Sequence, residues 1–131
     1  MVERKVSADE LDVVNWLLVN AATQDVSKYR AESLEEAFVV SACSCGCASI
    51  DFVLGEGAAG NRSPLRSTSI IAEAYTLWSD GTRAGVMLWG TEGRLLGVEL
   101  YELGGGGLDR FPTVQALRRW ETYVDDRATG R

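Results

Sequence analysis

Apolar residues at Leu11, Val14, Leu17, Leu18 and Ala21 recur at helical spacing. Ahead of them, Ser7-Ala8-Asp9-Glu10 matches the capping box S-x-x-E, with Val6 and Leu11 placed as a hydrophobic staple. This pattern predicts a helix from about Ala8 to Ala21. The polar stretch from Thr23 to Glu36 follows, in which Val26, Tyr29 and Leu34 offer anchors for a short second helix. From Ala37 the period shortens. Ala37-Phe38-Val39-Val40 and Ser49-Ile50-Asp51-Phe52-Val53-Leu54 read as strands, as do Ser69 to Trp78, Ala84 to Trp89 and Arg94 to Leu103.

Asp80-Gly81, within Ser79 to Thr82, and Gly90-Thr91-Glu92-Gly93 lie between the last three strands, too close for anything but antiparallel hairpins. Gly55 to Ser67 reads as a flexible loop and Gly104 to Gly107 as a linker. Phe111-Pro112 restarts order, and Val114, Leu117, Trp120 and Val124 suggest a C-terminal helix packed on the sheet, with 125–131 frayed. The expected architecture is α+β: an N-terminal helical segment, a mainly antiparallel sheet of about five strands with a meander at its C-terminal part, and that closing helix. At 131 residues the chain fits a single domain, 1–131.

Charge narrows the choice of partners. Nineteen acidic residues against thirteen basic ones leave −6. Nucleic-acid affinity comes largely from phosphate neutralisation, so DNA and RNA are not expected partners. No apolar run approaches the roughly 20 residues of a bilayer crossing. Met1 to Lys5 leads into an amphipathic pattern without the apolar stretch of an export signal, so a cytoplasmic location is expected and no membrane partner. Histidine is absent, which removes the usual general base and the commonest zinc ligand.

Cys43-Ser44-Cys45-Gly46-Cys47 is the most distinctive string. Three thiols suggest zinc, but alternate side chains on a strand stand roughly 6.5–7 Å apart, while ligands of one zinc need sulfurs under about 4 Å from each other. Only a bend at Gly46 would close the gap. A fourth ligand would have to come from Asp51 or a second protomer. A redox role needs an activating cation, and none lies between Glu32 and Leu54. The thiols read as small apolar groups in a strand–bend–strand, with Cys43, Cys45 and Cys47 the candidates should a metal bind. No cofactor is expected.

Parity along the strands gives a second constellation. Asp51, Glu73, Tyr75, Glu99 and Tyr101 fall on positions that share one sheet face, opposite Leu96, Val98 and Leu100. Paired carboxylates can act as acid and base where their environments differ. On the wet face of an antiparallel sheet, however, charged residues are ordinary and equally suit a contact with a partner. The outer strands of such a sheet also offer backbone groups that another strand could extend. Trp78 and Trp89, at strand ends, read as packing residues.

Cys45-Gly46-Cys47-Ala48-Ser49-Ile50-Asp51-Phe52 resembles a C-G-C-x-S-[I/V]-[D/E] string in a group of short, uncharacterised bacterial proteins. Gly93-Arg94-Leu95-Leu96-Gly97-Val98-Glu99-Leu100-Tyr101 is similar to their G-x-L-x-x-[L/V]-E-[V/L]-Y strand, and Phe111-Pro112 to their closing F-P. The group has no known activity, so the resemblance transfers no catalytic residue. The functional expectation is a non-enzymatic protein-interaction domain, an inhibitor-like or immunity-like binder of a protein partner or of its own copy. The alternative is a small enzyme using strand carboxylates or thiols, or a metal-binding protein using the cysteine string.

Overall fold

The computed structural model describes residues 4–41, 48–54, 68–103 and 109–123. Among these residues seven strands form one antiparallel sheet: β1 (Arg4–Lys5), β2 (Ala37–Ser41), β3 (Ile50–Leu54), β4 (Ser69–Leu77), β5 (Arg83–Thr91), β6 (Arg94–Glu102) and β7 (Leu117–Arg119). Their spatial order is β1-β2-β3-β6-β5-β4-β7, and one α-helix, α1 (Ala8–Asn20), packs on one face. No helix among the described residues is long and apolar enough to cross a membrane.

The helix starts where its capping box starts. Ser7 Oγ accepts from the Glu10 N–H at 3.2 Å, and the Ser7 N–H donates to Glu10 Oε1 at 2.9 Å. Glu10, only 4% exposed, is also gripped at both oxygens by the Arg4 guanidinium, at 2.9 and 2.6 Å. One carboxylate therefore ties β1 to α1. Burial alone would raise the Glu10 carboxyl, but the bonds from Arg4 and Ser7 outweigh it and hold the group below its ordinary range. A depressed carboxyl stabilises the fold above its unfolded pKa, and that contribution fades as pH falls through the folded value. Glu10→Gln is therefore expected to cost about 1–2 kcal/mol at neutral pH. It should also flatten the acid limb of a urea-midpoint titration below roughly pH 4.5. An unchanged acid limb in the variant would remove Glu10 from the account.

Thirteen isolated residues make a marginal helix in water, so tertiary packing holds α1 in place. Val13, Val14 and Leu17 are completely buried, and each contributes about 1.5–3 kcal/mol by leaving water. They meet Ala72 and Ala74 of β4, Val86 and Leu88 of β5, and Val98 and Leu100 of β6, all in one core. At Asn20 the helix stops, and Ala21 to Thr23 lie along the outer edge of β4, with Ala22 bridged to Ala72. There the Thr23 N–H bonds the Ile71 carbonyl and the Glu73 N–H bonds the Ala21 carbonyl, both at 3.0 Å.

Those bonds explain why the second helix does not form. Thr23 is committed to the edge of β4, and Val26 accepts from the Tyr29 N–H in a turn. Only Ala31–Leu34 coil, as a single 3-10 turn. Tyr29 and Leu34 are nonetheless buried anchors.

Among the described residues the expected C-terminal helix does not form either, and the sheet has seven strands rather than about five. Val114–Ala116 make a 3-10 turn, Leu117–Arg119 become β7, and Trp120–Thr122 make another 3-10 turn. The backbone groups of Ala74 to Thr76 on the edge of β4 need partners, and β7 supplies them in the register Ala74↔Arg119, Tyr75↔Arg118, Thr76↔Leu117. Edge pairing outweighs helix propensity here. Val124, the last residue of the expected stripe, lies outside the described residues.

Both hairpins of the meander form as the turn chemistry requires. Thr91 and Arg94 pair across a two-residue loop in which Glu92 and Gly93 both have positive φ, the conformation of a type I′ turn. The first hairpin has a longer loop from Leu77 to Arg83, closed by the Trp78 N–H on the Thr82 carbonyl at 3.1 Å, with Gly81 at φ +87°. The Arg110 guanidinium lies 4.2 Å from the centre of the Trp78 ring and donates to Asp80 Oδ2 at 2.9 Å. Asp80 also accepts from the Thr82 hydroxyl and N–H; these bonds, then Arg110, pull its carboxyl down to about 2.

The two halves of the sheet, β1-β2-β3 and β6-β5-β4-β7, meet at a narrow joint. β3 and β6 pair only at Ile50↔Val98 and Asp51↔Gly97 among the described residues. Just beyond, the buried Ser49 hydroxyl accepts from the Leu100 N–H at 2.8 Å, so a side chain substitutes for a ladder partner. The Cys43, Cys45 and Cys47 string, the loop 55–67, the glycine linker 104–107 and the tail 125–131 lie outside the described residues.

Candidate functional site

The strand registers place all five parity residues on the face opposite α1. Asp51 pairs with Gly97, which pairs with Trp89; Glu99 pairs with Met87, which pairs with Glu73; Tyr101 pairs with Gly85, which pairs with Tyr75. Three rows thus cross the sheet, each with its side chains on the same side. The core face carries Val98 and Leu100, as the alternation requires. Leu96 does not follow it. A bulge where Trp89↔Gly97 gives way to Gly90↔Leu95 turns Leu95 into the core and leaves Leu96 half-buried.

Two aromatic donors organise the acids. The Tyr101 hydroxyl reaches diagonally across β5 to Glu73 Oε2 at 2.7 Å. It passes over Gly85, where any Cβ would collide with the Tyr101 ring. The Trp89 indole Nε1 donates to Glu99 Oε1 at 3.0 Å. Asp51 leans over Gly97, its Oδ1 2.9 Å from where a Cβ would be. Burial first, and the Glu73 carboxylate second, push the Tyr101 phenol above its ordinary range. It is therefore a protonated donor at neutral pH, unsuited to act as a base or nucleophile.

Tyr75 belongs to a different environment. It is 5% exposed, its hydroxyl pairs with Thr122 Oγ1 at 2.9 Å, and Trp120, tilted, and Tyr123, edge-on, pack against its ring at centroid distances of 5.5 and 5.0 Å. The chain after β7 lies as a strap over this end of the face, with the Arg83 guanidinium 5.3 Å from the centre of the Tyr123 ring. The structure therefore brings Asp51, Glu73, Glu99 and Tyr101 into one half-open field and covers Tyr75.

Trp89 and Met87 are members the parity reading missed. Both are half-buried, on the same face as Glu99 and Glu73. Alternation along β5 carried the signal, since Gly85, Met87 and Trp89 occupy every second position.

Chemically, the arrangement holds two carboxylates apart. Glu99 and Glu73 are separated by the whole width of β5, so their backbones stand about 10 Å apart. Each is bonded to a neutral aromatic donor rather than to the other acid. Among the described residues, no group of three His, Cys, Asp or Glu side chains is placed to hold a metal. No family model, curated protein or solved structure matches the chain.

Proposed function

We propose that this chain is a non-enzymatic protein-interaction domain, an inhibitor-like or immunity-like binder that works through the sheet face opposite α1. The observation that carries the reading is the pair of carboxylates, Glu73 and Glu99, each fixed by an aromatic donor on a half-open face. Aromatic and methionine side chains supply binding energy at protein interfaces, and carboxylates set the identity of the partner. Orientation by Trp89 and Tyr101 lowers the entropy lost when such groups are immobilised on binding.

Glu99→Lys and Tyr101→Phe test it, since neither removes buried core volume. Both are expected to keep the circular dichroism spectrum of the parent while weakening either self-association in sedimentation or partner retention in a native pull-down. Identical masses and identical retained proteins for the parent and both variants would refute the reading.

A further inference from the structure

Resting on that reading, we infer that the partner presents a basic segment, and that the field around Met87 receives an arginine side chain from it. Two observations support this independently. The first is the half-buried apolar surface of Met87, Trp89 and Tyr101 on one sheet face, which suits a protein ligand rather than a solvated ion. The second is the disposition of charge: Glu99 and Glu73 flank Met87 on its own row, and the chain carries −6 overall.

A guanidinium fits this frame on three counts. Its planar fork matches a carboxylate, its face stacks on an indole or phenol ring, and it is more weakly hydrated than an ammonium. A carboxylate offers about four lone-pair sites, so the bond from Trp89 or Tyr101 takes only a fraction of what each acid can accept. Trp89 stands next to Glu99 and Tyr101 next to Glu73, so a guanidinium meeting either acid also lies beside an aromatic side chain. The net negative charge would also speed encounter with a basic segment at low salt.

The probe is an octa-arginine peptide, with octa-lysine and octa-glutamate as comparisons, titrated against the full chain while tryptophan fluorescence is followed. Octa-arginine is expected to bind several-fold more tightly than octa-lysine, with an affinity that falls as salt rises. Glu99→Gln and Glu73→Gln are each expected to weaken octa-arginine by roughly tenfold, and Trp89→Phe to remove most of the fluorescence change. Absent binding, equal affinity for the two cationic peptides, or affinities unchanged in the glutamine variants would each overturn the inference. If octa-arginine fails while Glu99→Lys still abolishes partner retention, the basic-segment inference falls and the interaction-domain reading stands.

Discussion

Gly97→Ala is expected to destabilise the fold by about 3 kcal/mol or more, the largest effect of any single methyl group here. A Cβ at this position would sit 2.6 Å from the Ile50 carbonyl oxygen and 3.2 Å from Asp51 Cα. Both are backbone atoms of β3, so no rotamer change relieves the contact; the strand itself has to move. It cannot move far without loosening Ile50↔Val98, the other paired position of the joint. Trimming the third neighbour, the Asp51 carboxylate at 2.9 Å, should therefore leave the loss in place. Urea unfolding of Gly97→Ala alone and combined with Asp51→Ala measures this. A loss under 1 kcal/mol, or full recovery in the double variant, would contradict it.

Gly85→Ala is the second large effect, and its cause differs. The obstacle is the Tyr101 ring, a side chain that can swing aside if it gives up its bond to Glu73 and its cover over β5. A loss of about 2 kcal/mol is expected. In a Tyr101→Ala background the same substitution should become neutral or mildly stabilising, because alanine is favoured over glycine in a strand by about 0.5–1 kcal/mol. The coupling in this double-mutant cycle is the measurement. Additive effects would show that the ring does not lie over Gly85 in solution.

The contrast between these glycines shows what the sequence made legible. Period-two alternation was enough to put Asp51, Glu73, Glu99 and Tyr101 on one face, since parity survives as long as the register does. The capping box at Ser7 is local chemistry and was readable in the same way; the turn expected over Gly90 to Gly93 tightens to Glu92-Gly93, because Gly90 and Thr91 pair with Leu95 and Arg94. Beyond local order the reading weakened. β7 has three residues, too few to display any period. Val114, Leu117 and Trp120 recur every third residue, a spacing that suits a helix but equally the 3-10, strand, 3-10 succession that forms. The cover over Tyr75 depends on where that succession lands, on the far side of β4, and nothing within a single strand announces it. Bulges likewise displaced Leu96, because one extra residue reverses alternation beyond it.

The composition of the sheet's margins bears on how copies of this chain meet one another at high concentration. A sheet that ends in a long flat strand is a template for uncontrolled stacking into fibrils. Among the described residues, β1 places Arg4 and Lys5 at one margin and β7 places Arg118 and Arg119 at the other. Arg4 and Lys5 pair with Glu10 and Glu36, and Arg119 with Glu121, which fixes polar groups where an incoming strand would have to lie. Aggregation through the margins is thereby discouraged on both sides, and the broad face between them can carry aromatic and methionine side chains without recruiting further strands.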